Sequence, residues 1–243
     1  MRVSQRSIRR VLRRAAVVAA ACATIALIAL WLAFQHKPAW YRPVALDEAG
    51  LQRARRDLTN LTDWIGDQLV RREPFDLILK QPDVNVWLTA LPHIWPETAT
   101  ALDPPVTRPA IAFGDTGLHI GAELASGGWR VIASVEVSLS VTDNGDGIVV
   151  LCSPPYGGSL PIPRALIDPT LARLLQRARP RASSNGGSST GLESLLREVR
   201  TVDELFRGIR TGNRFVWPNG RRPFRIAGLT FSTAELAVHI EPL

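Results

Sequence analysis

Cysteine is scarce in this chain of 243 residues, which contains only Cys22 and Cys152. Cys22 falls in a long uncharged stretch and Cys152 lies far downstream, so the two thiols cannot readily pair. A disulfide framework is therefore excluded as the source of stability. The chain must instead bury a hydrophobic core, and about 200 residues beyond the uncharged stretch are enough to build one domain.

Short catalytic and cofactor motifs are missing as well. We find no nucleophile elbow, H-E-x-x-H helix, phosphate loop or Cys-x-x-Cys pair. Cys152 could serve as a nucleophile, but a lone thiol next to the apolar residues 149–151 is more typical of a small core residue. The sequence therefore predicts no catalytic residues, no cofactor and no enzymatic activity.

Two predicted strands carry histidine together with glutamate on their polar faces. His119 and Glu123 alternate with apolar residues on one strand, and Glu235, His239 and Glu241 do so on the last. Imidazole and carboxylate groups would bind a divalent ion if these strands were neighbours. We favour the simpler interpretation of solvated strand faces with ordinary cross-strand pairs, and we predict no metal site.

Acidic residues are absent from the first 46 positions, where the basic charge is concentrated. The whole chain carries a net charge of +7, and six of its basic residues lie in the tail of residues 1–14. The other 23 basic and 22 acidic residues leave the rest of the protein near +1. Nucleic-acid binders need a basic surface, so we predict no nucleic-acid partner. The tail of residues 1–14 contains six arginines: Arg2, Arg6, Arg9, Arg10, Arg13 and Arg14.

Residues 15–34 are twenty consecutive positions without a charge or a proline. About 20 apolar residues in a helix cross a hydrocarbon core about 30 Å thick. The arginine tail precedes this run and only Lys37 and Arg42 follow it closely, so the positive-inside rule places the amino terminus in the cytoplasm. We predict a single-pass anchor in a bacterial inner membrane, with the rest of the chain on the extracytoplasmic side.

Three processing signals compete with a retained anchor. A cleavable signal peptide has an apolar run of only ~7–15 residues, whereas this run is longer and ends at residues 32–35 without a good cleavage site. Residues 20–22, Ala-Ala-Cys, resemble a lipoprotein processing box, but a further apolar run follows the cysteine. Arg9-Arg10 fits a twin-arginine signal, which chance explains in so arginine-rich a tail.

The exported part begins with a connector at residues 35–46 and continues as one domain at 47–243. Asp47 caps a predicted amphipathic helix that runs to residue 72. A strand at 75–80 and a short helix at 84–91, closed by Pro92, come next. Polar and apolar residues then alternate from 106 to 152, which predicts a four-stranded antiparallel meander with Val135 and Val137 on one face and Glu136 on the other.

The last third of the chain contains helices and two more strands. A leucine-rich helix runs to about residue 179, residues 181–189 form a polar flexible loop, and a Thr190–Glu193 capping box starts another helix. Strands at 224–231 and 234–240 complete the domain. The predicted fold is α+β, with an antiparallel curved β-sheet, built from both ends of the domain, packed on amphipathic helices.

The segment 75–91 carries the one resemblance to a known family. A strand and then a helix with an x-x-x-V/L-N-x-W/L-L pattern, matched by Val84, Asn85, Trp87 and Leu88, resembles bacterial envelope proteins of the YpmS and YceB type. Those proteins are similar to the tubular lipid-binding superfamily, in which a curved sheet wraps a long helix. The helical insert after Pro163 departs from that pattern.

This resemblance implies an extracytoplasmic domain that binds a lipid or another hydrophobic ligand. The expected groove is lined by one strand and one helix, namely Phe75, Leu77, Leu79, Trp87 and Leu88. The alternative is a non-enzymatic scaffold that binds another envelope protein, and an envelope hydrolase is a distant third. A continuous apolar cavity of ligand size favours lipid binding, and a filled core favours the scaffold.

Overall fold

A computed structural model describes residues 5–94, 106–126, 129–163, 165, 202–217 and 222–243. The predicted helices near 166–179 and 190–201, and the predicted flexible loop at 181–189, lie outside these residues. The chain begins with helix α1 (Gln5–Gln35). Its portion Ala15–Gln35 is long and apolar enough to cross a membrane, and its residues are exposed except for the half-buried Ala33 and Phe34 near its end.

Helix α2 (Glu48–Arg71) has the bounds that its sequence predicts. The Asp47 carboxylate accepts a hydrogen bond of 2.8 Å from the Gly50 backbone N–H, which satisfies one free donor of the first turn. The helix ends at Arg72, whose φ of 59° is left-handed. Its apolar stripe is buried at Ala54, Ile65 and Leu69.

Strand β1 (Phe75–Lys80) leads directly into helix α3 (Gln81–Ile94). The helix was expected at 84–91, and both ends differ because of proline. Pro82 lies in the first turn, where its missing N–H has no partner to lose, so the helix starts earlier. Pro92 lies in the last turn and removes only one hydrogen bond there, so it does not close the helix.

The predicted meander is confirmed as four antiparallel strands in sequential order. Turns at residues 114–117 and 142–147 connect its outer pairs, and Gly145 takes the positive φ of 69° that the second turn requires. Val137 is buried, Val135 half-buried and Glu136 exposed, which agrees with the predicted faces. The strands are β2 (Val106–Phe113), β3 (Leu118–Ser126), β4 (Trp129–Val141) and β5 (Gly147–Cys152).

Additional strands extend this meander sheet beyond the edge of β4 that pairs with β5. Strand β8 pairs with β5, while β6 pairs with β4 and forms a small hairpin with β7. A short helix α4 precedes β8. These elements are β6 (Tyr156–Gly157), β7 (Leu160–Pro161), α4 (Val202–Arg207) and β8 (Ile209–Gly212).

The first and last strands of the domain belong to a second sheet, which corrects the expectation of a single one. In this terminal sheet the order is β1-β11-β10-β9, with β1 antiparallel to β11. Helix α3 lies in the chain between β1 and β2, and the two sheets are separate and open. The added strands are β9 (Phe215–Val216), β10 (Pro223–Phe231) and β11 (Glu235–Pro242).

One hydrophobic core joins helix α2 to both sheets. Buried side chains from α2, from the first three meander strands and from β11 form a single cluster, and partly buried side chains of β1 and β10 pack against it. Burial of this apolar surface is the main source of stability in the absence of a disulfide. The fully buried members are Ile65, Leu69, Ile111, Phe113, Leu118, Val137, Leu236, Val238 and Ile240.

Two buried asparagines link elements that are not paired as strands. Asn85 of α3 donates from Nδ2 to the Ile111 carbonyl (2.9 Å) and accepts at Oδ1 from the Ile111 N–H (2.7 Å), so its amide acts like an extra strand residue at the β2 edge. Asn213 makes the same pair of bonds with Ile226 of β10 and also donates to the Gly145 carbonyl. Asn213 thereby connects the meander sheet to the terminal sheet.

Candidate ligand-binding site

The structure places four of the five predicted groove residues against the core. Phe75, Leu77 and Leu79 are the inward positions of β1, and their neighbours in the strand are exposed. Leu88 of α3 also packs against the core cluster. These four side chains share one environment, and it is the interior of the domain rather than an open groove.

Trp87 lies apart from them, in a cleft between α2 and α3. The cleft has a volume of about 370 Å³ and includes the charged residues Arg53, Asp57 and Asp83. Such charges suit a polar occupant better than a hydrocarbon chain. The structure therefore does not bring Trp87 together with the other four residues.

An open apolar cavity lies elsewhere, on the inner face of the meander sheet. We call it the β3–β4 pocket, and its volume is about 310 Å³. Apart from Ser134, each lining residue within the described part of the chain has an apolar side chain, a glycine backbone or the thiol of Cys152. Its lining is Ile120, Gly121, Ala122, Ala133, Ser134, Val135, Cys152, Pro155 and Phe206.

The pocket exists because the apolar face of β3 and β4 continues beyond its cover. Leu118 pairs with Val137, and both are buried in the core. One pleat further along the same face, Ile120 pairs with Val135, and Ile120 is 40% exposed. Ala122 opposite Ala133 then widens the space, since two methyl groups fill little volume. The result is an apolar floor with an open side.

Cys152 forms part of the pocket wall, where its side chain is half-buried. Burial raises the pKa of its thiol above the ordinary cysteine value. A raised pKa keeps the sulfur protonated at neutral pH, whereas nucleophilic cysteines have lowered pKa values. The structure therefore agrees with the interpretation of Cys152 as a small apolar wall residue.

The histidine and glutamate residues considered as metal ligands lie on strands of different sheets. Glu123 faces Arg108 and Arg130 at 3.5 and 3.4 Å, while Glu241 pairs with Arg225 at 2.6 Å. The His239 Nδ1 lies 2.7 Å from the Asp76 carboxylate. The His119 ring stacks on Trp40. Within the described ranges no three such side chains are grouped to hold a metal ion.

The connector after α1 covers the outer face of the same strand that floors the pocket. A Cβ at Gly121 would lie 2.6 Å from the Trp40 ring, so only glycine allows this approach. The Tyr41 hydroxyl donates a 2.6 Å hydrogen bond to the Arg108 carbonyl. Burial, with a further contribution from the Glu123 carboxylate, raises the pKa of Tyr41 and keeps this donor protonated. The connector and the pocket thus lie on opposite faces of β3.

No known protein family, curated protein or solved structure matches this chain. The resemblance to proteins of the YpmS and YceB type therefore remains a prediction.

Proposed function

We propose that this chain is a single-pass, membrane-anchored protein of the bacterial envelope whose extracytoplasmic domain binds a lipid acyl chain or a similar apolar ligand. The observation that supports this proposal is the open, apolar β3–β4 pocket of about 310 Å³. Its volume lies in the range of about 300–1,000 Å³ that small-molecule sites occupy.

The apolar lining sets an upper limit on the affinity for a lipid chain. Burial of one methylene contributes about 0.8 kcal/mol, so about ten methylenes contribute roughly 8 kcal/mol, from which the costs of binding are subtracted. Without those costs the value corresponds to a dissociation constant near 1 μM, so the real binding is weaker than this limit. The lining offers almost no hydrogen-bonding side chain, so it would select for apolar character rather than for a particular headgroup.

Helix α1 and the charges around it support the proposed membrane anchor. Ala15–Gln35 is long enough to span the bilayer, and the arginine tail before it favours a cytoplasmic amino terminus. We further infer that the two open sheets act as a curved wall around α2, in the manner of the tubular lipid-binding proteins. This arrangement would hold the β3–β4 pocket beside the membrane.

Native mass spectrometry of the detergent-extracted, full-length chain tests this function. Two tryptophan variants distinguish a lipid bound in the pocket from lipids that only surround α1. Ala133→Trp fills the pocket and should remove one bound amphiphile per chain. Ile78→Trp, at a position 57% exposed on the terminal sheet, should leave the number unchanged. Equal lipid counts for the wild type and Ala133→Trp would contradict the proposal.

A second candidate is a scaffold that binds another envelope protein through its exposed loops. It is favoured by one observation, which is that Phe75, Leu77, Leu79 and Leu88 are used in the core. A well-folded chain without any pocket ligand would make the scaffold the better account.

A further inference from the structure

A second apolar cavity lies outside the domain core, between the end of α1 and strand β7. We call it the anchor groove, and its volume is about 520 Å³. Among the described residues, its lining is apolar throughout: Leu27, Leu30, Trp31, Phe34, Leu160, Pro161, Ile162 and Pro163. One wall is the last two turns of the apolar helix, and the other is the strand and chain that follow the β6–β7 turn.

Close backbone contacts hold these two walls together. The Ser159 N–H donates a 2.9 Å hydrogen bond to the Ala33 carbonyl of α1. A Cβ on Gly158, which has a φ of 62°, would lie 2.3 Å from the Phe34 carbonyl oxygen, and a Cβ on Gly157 would lie 2.7 Å from the Phe34 ring. Two successive glycines therefore allow the β6–β7 turn to touch the helix backbone.

With α1 across a bilayer, the groove would lie at the depth of the lipid tails. Leu27 and Phe34 are separated by about 10 Å along a helix that rises 1.5 Å per residue. Phe34 is one residue from the end of the apolar portion of α1, Ala15–Gln35. Half of a hydrocarbon core is about 15 Å thick, so with α1 across the bilayer the groove would occupy the leaflet opposite the arginine tail.

The hairpin backbone is suited to an environment without water. The Gly158 N–H donates to the Ile132 carbonyl and the Ile162 N–H to the Pro155 carbonyl. Leu160 is paired with Gly157 within the hairpin. Pro161 and Pro163 have no N–H to satisfy. This segment can therefore contact hydrocarbon without the cost of unpaired backbone donors.

We propose that the anchor groove binds one acyl chain of a phospholipid from this leaflet, and that residues 160–163 lie in the hydrocarbon. This inference depends on the membrane anchor of the proposed function, but not on the β3–β4 pocket. A partner helix is the other candidate occupant. One turn of a helix about 10 Å wide fills roughly 400 Å³, so the groove would hold little more than a single turn.

Nitroxide accessibility in lipid nanodiscs tests the occupant with the full-length chain. Three single-cysteine proteins are spin-labelled: natural Cys22 with Cys152→Ala, and Ile162→Cys or Asp115→Cys with both natural cysteines changed to alanine. Cys22 reports the middle of the span, and Asp115 lies exposed at the β2–β3 turn. Collision rates with oxygen and with a water-soluble nickel chelate are measured in phosphatidylglycerol–phosphatidylcholine discs.

The proposal predicts high oxygen and low nickel accessibility at Ile162, as at Cys22 and opposite to Asp115. High nickel accessibility at Ile162 with a lipid-exposed Cys22 would place the groove in water and overturn the inference while the anchor stands. Low accessibility to both reagents would mean that protein covers the groove, which also overturns it. High nickel accessibility at Cys22 would contradict the anchor itself and the inference with it.

Discussion

The two sheets differ in how completely their apolar strand faces are covered. On β11 of the terminal sheet, Leu236, Val238 and Ile240 are all at most 7% exposed. On β3 of the meander sheet, Leu118 is 7% exposed but Ile120, two residues later, is 40% exposed. Both faces follow the same alternation, so the difference arises from what covers them. The covered face stabilises the fold, and the open face is free to bind.

Aspartate substitutions at matched positions should give the largest difference between the two faces. Val238→Asp buries an unpaired charge in the core and should lower the free energy of unfolding by about 3–5 kcal/mol. Ile120→Asp can solvate its charge at the open pocket and should cost about 1 kcal/mol or less. Urea denaturation of the full-length chain in detergent measures both. Equal losses would show that the pocket is closed in solution.

Removal of the Asn85 amide should have the next largest effect. Asn85→Ala leaves the Ile111 N–H and carbonyl unpaired at a buried edge, at a cost of about 1–3 kcal/mol for each such group. We expect a loss of about 2–4 kcal/mol in the same denaturation experiment. The control is Gln52→Ala on the exposed face of α2, which should change stability by about 0.5 kcal/mol or less. If Asn85→Ala leaves the free energy of unfolding unchanged, the contact of Asn85 with the β2 edge does not stabilise the fold.

A branched side chain at Gly157 should weaken the contact between anchor and domain. Gly157→Val would collide with Phe34, whereas Gly212→Val meets no atom within 4 Å of its Cβ. In full-length chains spin-labelled at Ile162→Cys, we expect Gly157→Val to mobilise the label. The Gly212→Val protein should give the parent spectrum. If both variants behave alike, α1 does not form one wall of the groove.

The smallest effect concerns pH. Burial raises the pKa of Cys152, so the folded protein retains this proton more tightly than the unfolded chain does. That contribution to stability is complete below the unfolded pKa of about 8.5 and is lost as the pH rises through the folded value. Wild type should therefore lose slightly more stability than Cys152→Ala between about pH 8 and pH 10. Parallel profiles for the two proteins would contradict the burial of the thiol.

Local features of the sequence predict local structure well. Asp47 and a 3.6-residue period locate α2, and two glycine-rich turns locate the hairpins of the meander. The number of sheets could not be predicted in this way, because the pairing of β1 with β11 joins residues about 160 positions apart and depends on the folded core. Asn85 is conspicuous in the sequence pattern, but its contact with Ile111 is visible only in three dimensions.

The candidate site was harder to predict for a physical reason. Alternation assigns Ile120 and Val135 to the apolar face, but it does not say where the cover of that face ends. Similarly, the period of α3 does not show that Trp87 faces a charged cleft while Leu88 faces the core. The anchor groove depends on Gly157 and Gly158, whose role is steric and leaves no periodic signal.

Protection of Cys152 by an added fatty acid tests the central claim most directly. In a Cys22→Ala background Cys152 is the only thiol, and it lines the β3–β4 pocket. Its alkylation by iodoacetamide is followed by mass spectrometry of the folded chain, after lipid removal, with and without oleic acid. We predict that oleic acid slows the reaction at least severalfold and that Ala133→Trp abolishes this protection. An alkylation rate that oleic acid leaves unchanged in the parent protein would contradict an acyl-chain site on this sheet.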